Sequence, residues 1–303
     1  MRAGGVTGRA PCWSGAAPTG RSGARAAGDP RHTARVPVVT FPFAEPERVL
    51  LAGDWHGSSH EAELRIAYAA DAGCPVLIQL GDFGVWPGDS GRRYLDLVSA
   101  VSVGCDVVTL VVDGNHEDFD QLLSLPVDPA TGLRPLAPSV WHLPRGSRWS
   151  WAGARFTALG GGTSLDRSVR TPHETWWPQE AITPEQAQAV MAEAECDVLL
   201  THDCPEGVPI PGTDRESSLE FWPEQELRTA WAHRELLAEV AAVLRPTHLW
   251  HGHFHMPYRC DVELVPGVRT RAQGLGAEFQ GLSGVHELTL ATLAPDIARR
   301  RTG

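Results

Sequence analysis

Val49-Leu50-Leu51-Ala52-Gly53-Asp54-Trp55-His56-Gly57 runs from four apolar residues straight into a turn that carries a carboxylate and an imidazole two positions apart. An unbroken apolar run of that length suits a strand covered on both faces rather than one that is half solvated. The same texture returns four times. Residues 75–80 lead into Gly81-Asp82-Phe83-Gly84, residues 107–112 into Gly114-Asn115-His116-Glu117-Asp118, residues 197–201 into His202-Asp203, and residues 247–250 into His251-Gly252-His253-Phe254-His255. Helical patterns at 60–72, 92–103, 184–194 and 225–244 separate these runs, and the alternation predicts an α/β fold. The helix at 184 has a full start signal in Thr183, Pro184 and Gln186. Shorter alternating or aromatic segments at 140–143, 148–151, 155–159, 258–264, 268–272 and 286–292 read as antiparallel strands added to the α/β units.

The chain has 303 residues, 42% of them hydrophobic, which is enough to bury a substantial core. Its formal charge of -11 works against phosphate backbones and anionic lipid. All 26 basic residues are arginine, so mechanisms built on a Schiff-base lysine, a P-loop lysine or a lysine general base are excluded. The 6 cysteines include no C-x-x-C pair and form no disulfide framework, and no stretch has the length of a membrane helix or of a secretory signal. Reduced thiols in a cytoplasmic, soluble protein are the expectation. Residues 1–44, rich in Gly, Ala and Arg, read as a disordered arm, a solvated tail or an over-extended translation start in preference to a nucleic-acid tether or an Arg-rich targeting peptide. Residues 45–295 form the expected domain, and 296–303 a basic tail.

All five polar clusters fall at the carboxyl ends of predicted strands, the edge where ligand sites of open α/β sheets form. They offer carboxylates, an amide oxygen and imidazoles, the mixed oxygen and nitrogen set that borderline divalent ions take, with no thiolate. Asp54 with His56, and His253 with His255, are each spaced by two, so an extended segment turns each pair to one face. With Asp82, Asn115 and His202 added there are more ligands than one ion usually draws from protein, and two ions sharing a bridging carboxylate is the simplest arrangement. Each cluster alone has a bland explanation as a turn, a helix cap or a surface pair. Five such turns acquiring ligand-type residues in one order do not.

That order, D-x-H, GD, GNHE, H and GHxH between Val49 and Tyr258, resembles the calcineurin-like metallophosphoesterase superfamily. The resemblance implies a four-layer αββα sandwich with mixed sheets. It implies that Asp54, His56 and His255 hold one metal, that Asn115, His202 and His253 hold the other, and that Asp82 bridges both. Asp82 and His116 would be the catalytic residues, with two divalent ions (Mn, Fe or Zn) as cofactors. Such ions supply a hydroxide nucleophile near neutral pH and offset charge in an in-line displacement, so no covalent enzyme intermediate is required. His116 would protonate or stabilise the leaving oxygen, while Glu117 and Asp118 read as capping groups or as supports for the ligands.

The implied activity is hydrolysis of phosphate mono- or diesters, with a nucleotide among the candidate substrates and no role for nucleic acid or membrane. Gly81-Asp82-Phe83-Gly84-Val85-Trp86-Pro87 departs from the GDxxDRG of serine/threonine phosphatases, and Glu117 stands where cyclic-nucleotide phosphodiesterases have aspartate. A phosphoprotein phosphatase is therefore the alternative enzyme. A non-catalytic scaffold on the same fold is disfavoured because all seven ligands and His116 are present. The stretch from Gly160 to Pro178 supplies substrate candidates: Arg167 and Arg170 as a phosphate clamp, and Trp176 or its neighbour Trp177 as a stacking surface. A surface loop pinned by buried tryptophans is the competing reading of these residues.

Overall fold

The computed structural model describes residues 36–213 and 215–302. In chain order its strands are β1 (Arg48–Ala52), β2 (Val76–Leu80), β3 (Val108–Val112), β4 (Arg134–Ala137), β5 (Val140–His142), β6 (Arg148–Trp151), β7 (Ala154–Leu159), β8 (Val198–Thr201), β9 (His248–His251), β10 (Tyr258–Val265), β11 (Val268–Gly274) and β12 (Val285–Thr289). The helices are α1 (Ser59–Asp71), α2 (Gly88–Gly104), α3 (Phe119–Ser124), α4 (Pro184–Met191), α5 (Arg215–Phe221), α6 (Glu224–Leu244) and α7 (Ala294–Thr302).

The strands form two six-stranded sheets in the orders β12-β1-β2-β3-β5-β4 and β10-β11-β9-β8-β7-β6. Each sheet has four parallel strands at its centre and one antiparallel strand at each edge. The apolar runs are continuous because both faces are covered. Val49 and Leu51 of β1 pack between the sheets with Ile78, Leu110, Phe156, Val198 and Trp250, while Leu50 and Ala52 turn outward onto Ile66 of α1 and Val98 of α2. The second sheet repeats this, with Leu199 and Leu249 buried against Val190 of α4 and Leu237 and Val240 of α6. The result is the expected αββα order of four layers. Thr183 caps α4 through the reciprocal hydrogen bonds with Gln186 that the sequence indicates.

Three expectations need correction. The sequence predicts antiparallel additions at β5, β7 and β11, and each does pair antiparallel with an edge strand, β4, β6 and β10, but on its other side each pairs in parallel with β3, β8 and β9 respectively. Short aromatic strands and parallel core strands share one composition, and only the pairing separates them. The expected arm of residues 1–44 lies outside the described residues as far as 35, but within residues 36–44 Val39, Phe41 and Phe43 pack on the core. Val39 is buried and donates its N–H to the Arg148 carbonyl, and Phe41 packs on Trp149 and Trp151. A composition averaged over 44 residues hides that short Val- and Phe-rich end. The basic tail expected at 296–303 lies mostly within α7, held by buried Ile297 on the same face as Leu293 and by Arg300, which donates to the Cys196 carbonyl at 2.6 Å. Among the described residues no helix is long and apolar enough to cross a membrane.

Candidate metal centre

Five of the eight parallel strands, three in one sheet and two in the other, end in the polar clusters, and the sheet packing brings those ends together. Asp54 and His56 follow β1, Asp82 follows β2, Asn115 and His116 follow β3, His202 follows β8, and His253 and His255 follow β9. Three groups of potential ligand atoms result: Asp54, His56 and His255; Asp82, His202 and His253; and His56, Asp82 and His116, the atoms within each group lying within 4.8 Å of one another. Six of the seven residues expected as ligands, and His116, therefore meet at one place, and Asn115 joins them with its Oδ1 2.9 Å from His202 Nε2.

Asp82 is the hub. Buried at 2% exposure, its Oδ1 accepts the backbone N–H groups of Asn115 and His116, each at 2.9 Å. His202 Nε2 lies 3.4 Å from the same oxygen, His56 Nε2 3.3 Å from Oδ2, and His116 Nε2 4.0 Å from Oδ2. Asp54, also buried, accepts the His253 N–H at 3.0 Å and faces His255 Nε2 at 3.1 Å. His56, Asp82, His253 and His255 all have positive φ, between 45° and 68°. Side chains other than glycine adopt that region at a cost, and strain of this kind concentrates where function needs a side chain aimed. Gly114 shows the same crowding from the other side: a Cβ there would lie 2.1 Å from Asp82, so the GNHE turn needs glycine to close over the carboxylate.

The ring chemistry tests whether cations suit the cluster. His202 Nδ1 donates to the Leu80 carbonyl at 2.8 Å, which makes Nε2 the lone-pair nitrogen of a neutral ring. That lone pair would then face two oxygens, Asn115 Oδ1 at 2.9 Å and Asp82 Oδ1 at 3.4 Å. Such an arrangement is stable only with a proton or a metal ion between them. Burial opposes protonation of His202, but the Asp82 carboxylate outweighs it and raises the ring to about 10. The same competition, burial against the Asp82 hydrogen bond and charge, raises His56 to about 9, and the Asp82 carboxyl is held well below the usual carboxylate range against its own burial by His202 and His116. His253, by contrast, is lowered by burial to about 4 and is a neutral ring at physiological pH. The cluster thus combines anionic carboxylates with imidazoles, a donor set that fits divalent ions.

Five further residues order the site from outside it. Glu278, in the loop after β11, places Oε2 2.7 Å from His56 Nδ1, which orients that ring and directs Nε2 inward. Ser164 donates to Glu180 Oε2 at 2.5 Å and accepts from Asn115 Nδ2 at 3.0 Å, which fixes the Asn115 amide with its oxygen toward His202. Arg145 secures Glu180 in turn, reaching the carbonyls of Gln179 and Glu180 at 2.9 and 2.8 Å while it pairs with Asp113 at 2.7 Å. Glu117 accepts the N–H groups of Phe83, Gly84 and Val85 at 2.8, 3.1 and 2.8 Å and so shapes the loop that presents Asp82. Asp118 is the cap of α3. None of Glu278, Ser164 and Glu180 stands out in the sequence. The one signal for Glu278 is the Gly274-Leu275-Gly276-Ala277-Glu278 sequence, which repeats the pattern of a strand end, glycine and an acid.

A cavity of about 360 Å³ opens beside His56 and His116, walled by Trp86, Pro87, Arg170 and Trp177. Arg170 reaches this wall, with Nε on Asp166 at 2.7 Å and Nη1 on the Thr175 carbonyl at 3.0 Å. Arg167 does not: it pairs with Glu226 at 2.9 Å and lies 5.7 Å from the Trp176 ring. Trp176 is likewise not among the lining residues, and its neighbour Trp177 takes that place. His251, spaced by two from His253, points elsewhere and meets the Tyr258 hydroxyl at 2.6 Å.

The family model described as calcineurin-like phosphoesterase matches residues 47–257. The chain belongs to the calcineurin-like phosphoesterase family. All five clusters of this family member fall inside the match, and Glu278 lies beyond it. One solved chain superposes with a TM-score of 0.51 at 15% identity, over 82% of this chain and 96% of that one. A dimetal phosphatase from Danio rerio aligns at a TM-score of 0.48 and 15% identity, over 77% of this chain and 88% of its own. TT1561 of Thermus thermophilus aligns at a TM-score of 0.47 and 13% identity, over 80% of this chain and 99% of its own. No curated protein matches the chain.

Proposed function

We propose that the chain is a phosphoesterase that uses two divalent ions, with Asp54, His56 and His255 around one, Asn115, His202 and His253 around the other, and Asp82 between them. The observation that carries this reading is the gathering of the other six side chains about the buried Asp82 carboxylate, with two imidazoles drawn toward the cationic state. Bound there, the ions would supply Lewis acidity, both to polarise phosphoryl oxygens and to make hydroxide available as the nucleophile near neutral pH. The chain's own groups do the rest. Asp82 supplies the anionic charge between the ligand groups, and Glu278 and the Glu180–Ser164–Asn115 chain hold ligand orientation. His116, half-buried at the mouth of the cavity, is placed to hand a proton to the leaving oxygen. Manganese, iron and zinc all suit this donor set, and a phosphate ester of a small molecule is the substrate class.

Purified protein is expected to contain divalent metal and to hydrolyse a generic aryl phosphate mono- or diester. Exhaustive dialysis against a chelator should remove the activity and re-addition of metal should restore it. Hydrolysis that persists in metal-free protein would overturn this reading.

Glu278→Gln gives a finer test. The amide keeps the size of the side chain but loses the charge that orients His56, so affinity for one of the two ions should weaken about 10- to 100-fold. A calorimetric metal titration with two resolved sites would show one isotherm moving and the other staying. Equal affinities in wild type and variant would remove Glu278 from the site.

A further inference from the structure

The cavity beside His116 has two tryptophans in its wall, and the single polar atom of each is already occupied. Trp86 Nε1–H donates to the His116 carbonyl at 3.1 Å, and Trp177 Nε1–H donates to Asp120 Oδ2 at 3.0 Å. Indole has no second donor and no acceptor, so what Trp86 offers a ligand is apolar π surface, while Trp177 is buried at 3% exposure and backs the wall. Trp86 is held from behind as well. A Cβ built on Gly57 would lie 2.7 Å from the Trp86 ring, so the indole rests on the bare backbone of the turn that carries His56. Arg170, fixed by Asp166 and the Thr175 carbonyl, and exposed Glu174 add one charge of each sign to the lining.

If His116 delivers the proton to the leaving oxygen, the group bonded to that oxygen continues into the space beside His116, and that space is this cavity. Its volume of about 360 Å³ is at the small end of ligand pockets, which run from roughly 300 to 1,000 Å³, and suits one or two fused rings. Resting on the phosphoesterase reading above, we infer that the preferred substrate has a planar aromatic leaving group, seated against Trp86, and that Trp86 is the residue that determines this specificity. A short aliphatic leaving group, such as a serine side chain, would leave the π surface uncovered and gain nothing from it.

The test is equilibrium binding rather than turnover. Metal-loaded protein is titrated calorimetrically with phenylphosphonate and with methylphosphonate, which share the anionic head and differ only in the group that enters the cavity. Phenylphosphonate should bind about tenfold or more tightly, the scale of one aromatic stacking contact. Trp86→Leu should bring the two affinities close together, and Trp86→Phe, which keeps a ring at the wall, should retain most of the difference. A melting curve of each variant confirms that it is folded, and the wild-type comparison stands whether or not Trp86→Leu folds. Equal affinities in wild type, no binding of either phosphonate, or a wild-type ratio preserved in Trp86→Leu would overturn the inference. Failure of metal-loaded protein to hydrolyse any aryl phosphate ester would instead overturn the phosphoesterase reading, whatever the phosphonates do.

Discussion

Asp82→Asn is expected to reduce hydrolysis to background and to lower bound metal from two equivalents to one or none. The substitution is nearly isosteric, and asparagine is among the residues that best tolerate the positive φ of 54° at this position, so the backbone turn should survive. What is lost is charge and acceptor capacity. In the wild type one carboxylate accepts two backbone N–H groups, lies within 3.4 Å of ring nitrogens of both His56 and His202, and is buried. An amide presents either an oxygen without the charge or an NH₂ group that opposes the Asn115 and His116 donors. A buried polar group left in conflict costs about 1–3 kcal/mol, so the melting temperature should also fall by a measurable amount. Metal analysis, a hydrolysis assay and a melting curve on the same preparation read all three effects. Undiminished activity with a full complement of metal would rule out Asp82 as the shared ligand.

His116→Ala should behave in the opposite way with respect to metal. The two hydrogen bonds through which residue 116 supports its surroundings are both made by the backbone: its N–H on Asp82 Oδ1 and its carbonyl under the Trp86 indole. Alanine keeps both. The imidazole itself is partly exposed toward the cavity, with Nε2 4.0 Å from Asp82. Removing it should leave metal content and melting temperature close to wild type while kcat falls roughly 10²–10⁴-fold, the usual contribution of a positioned acid or base. The ring also belongs to a group of potential ligands with His56 and Asp82. A variant that loses metal in proportion to its loss of rate would therefore make His116 a ligand rather than a proton donor.

What can be read from the chain alone depends on the range of the interactions. Asp54, Asp82, Asn115, His202, His253 and His255 are legible because each sits within a few residues of the strand that places it, and a strand ending in glycine and a polar residue is a local pattern. The parallel pairing of β5, β7 and β11 is not legible. Val140-Trp141-His142 and the Ala154–Leu159 segment carry the same aromatic and β-branched residues that an antiparallel edge would carry, and the neighbour across the sheet decides the direction. Glu278 stands 222 residues from the His56 ring it orients, and Glu180 reaches Asn115 only through Ser164. No periodicity or spacing rule connects such partners.

By itself, then, the sequence determined the α/β alternation, the strand ends at which the polar clusters sit, and the donor types gathered there, because these follow from backbone periodicity, turn preference and the donor atoms of single side chains. Only the tertiary structure decided which supporting residues complete the site. It put Arg170 rather than Arg167, and Trp86 and Trp177 rather than Trp176, at the cavity wall, and brought Glu278 to His56. Those choices depend on how two twisted sheets pack face to face, and on which long side chains find a buried partner before they reach the site: Glu226 holds Arg167, while Asp166 and the Thr175 carbonyl hold Arg170 at the wall beside His116.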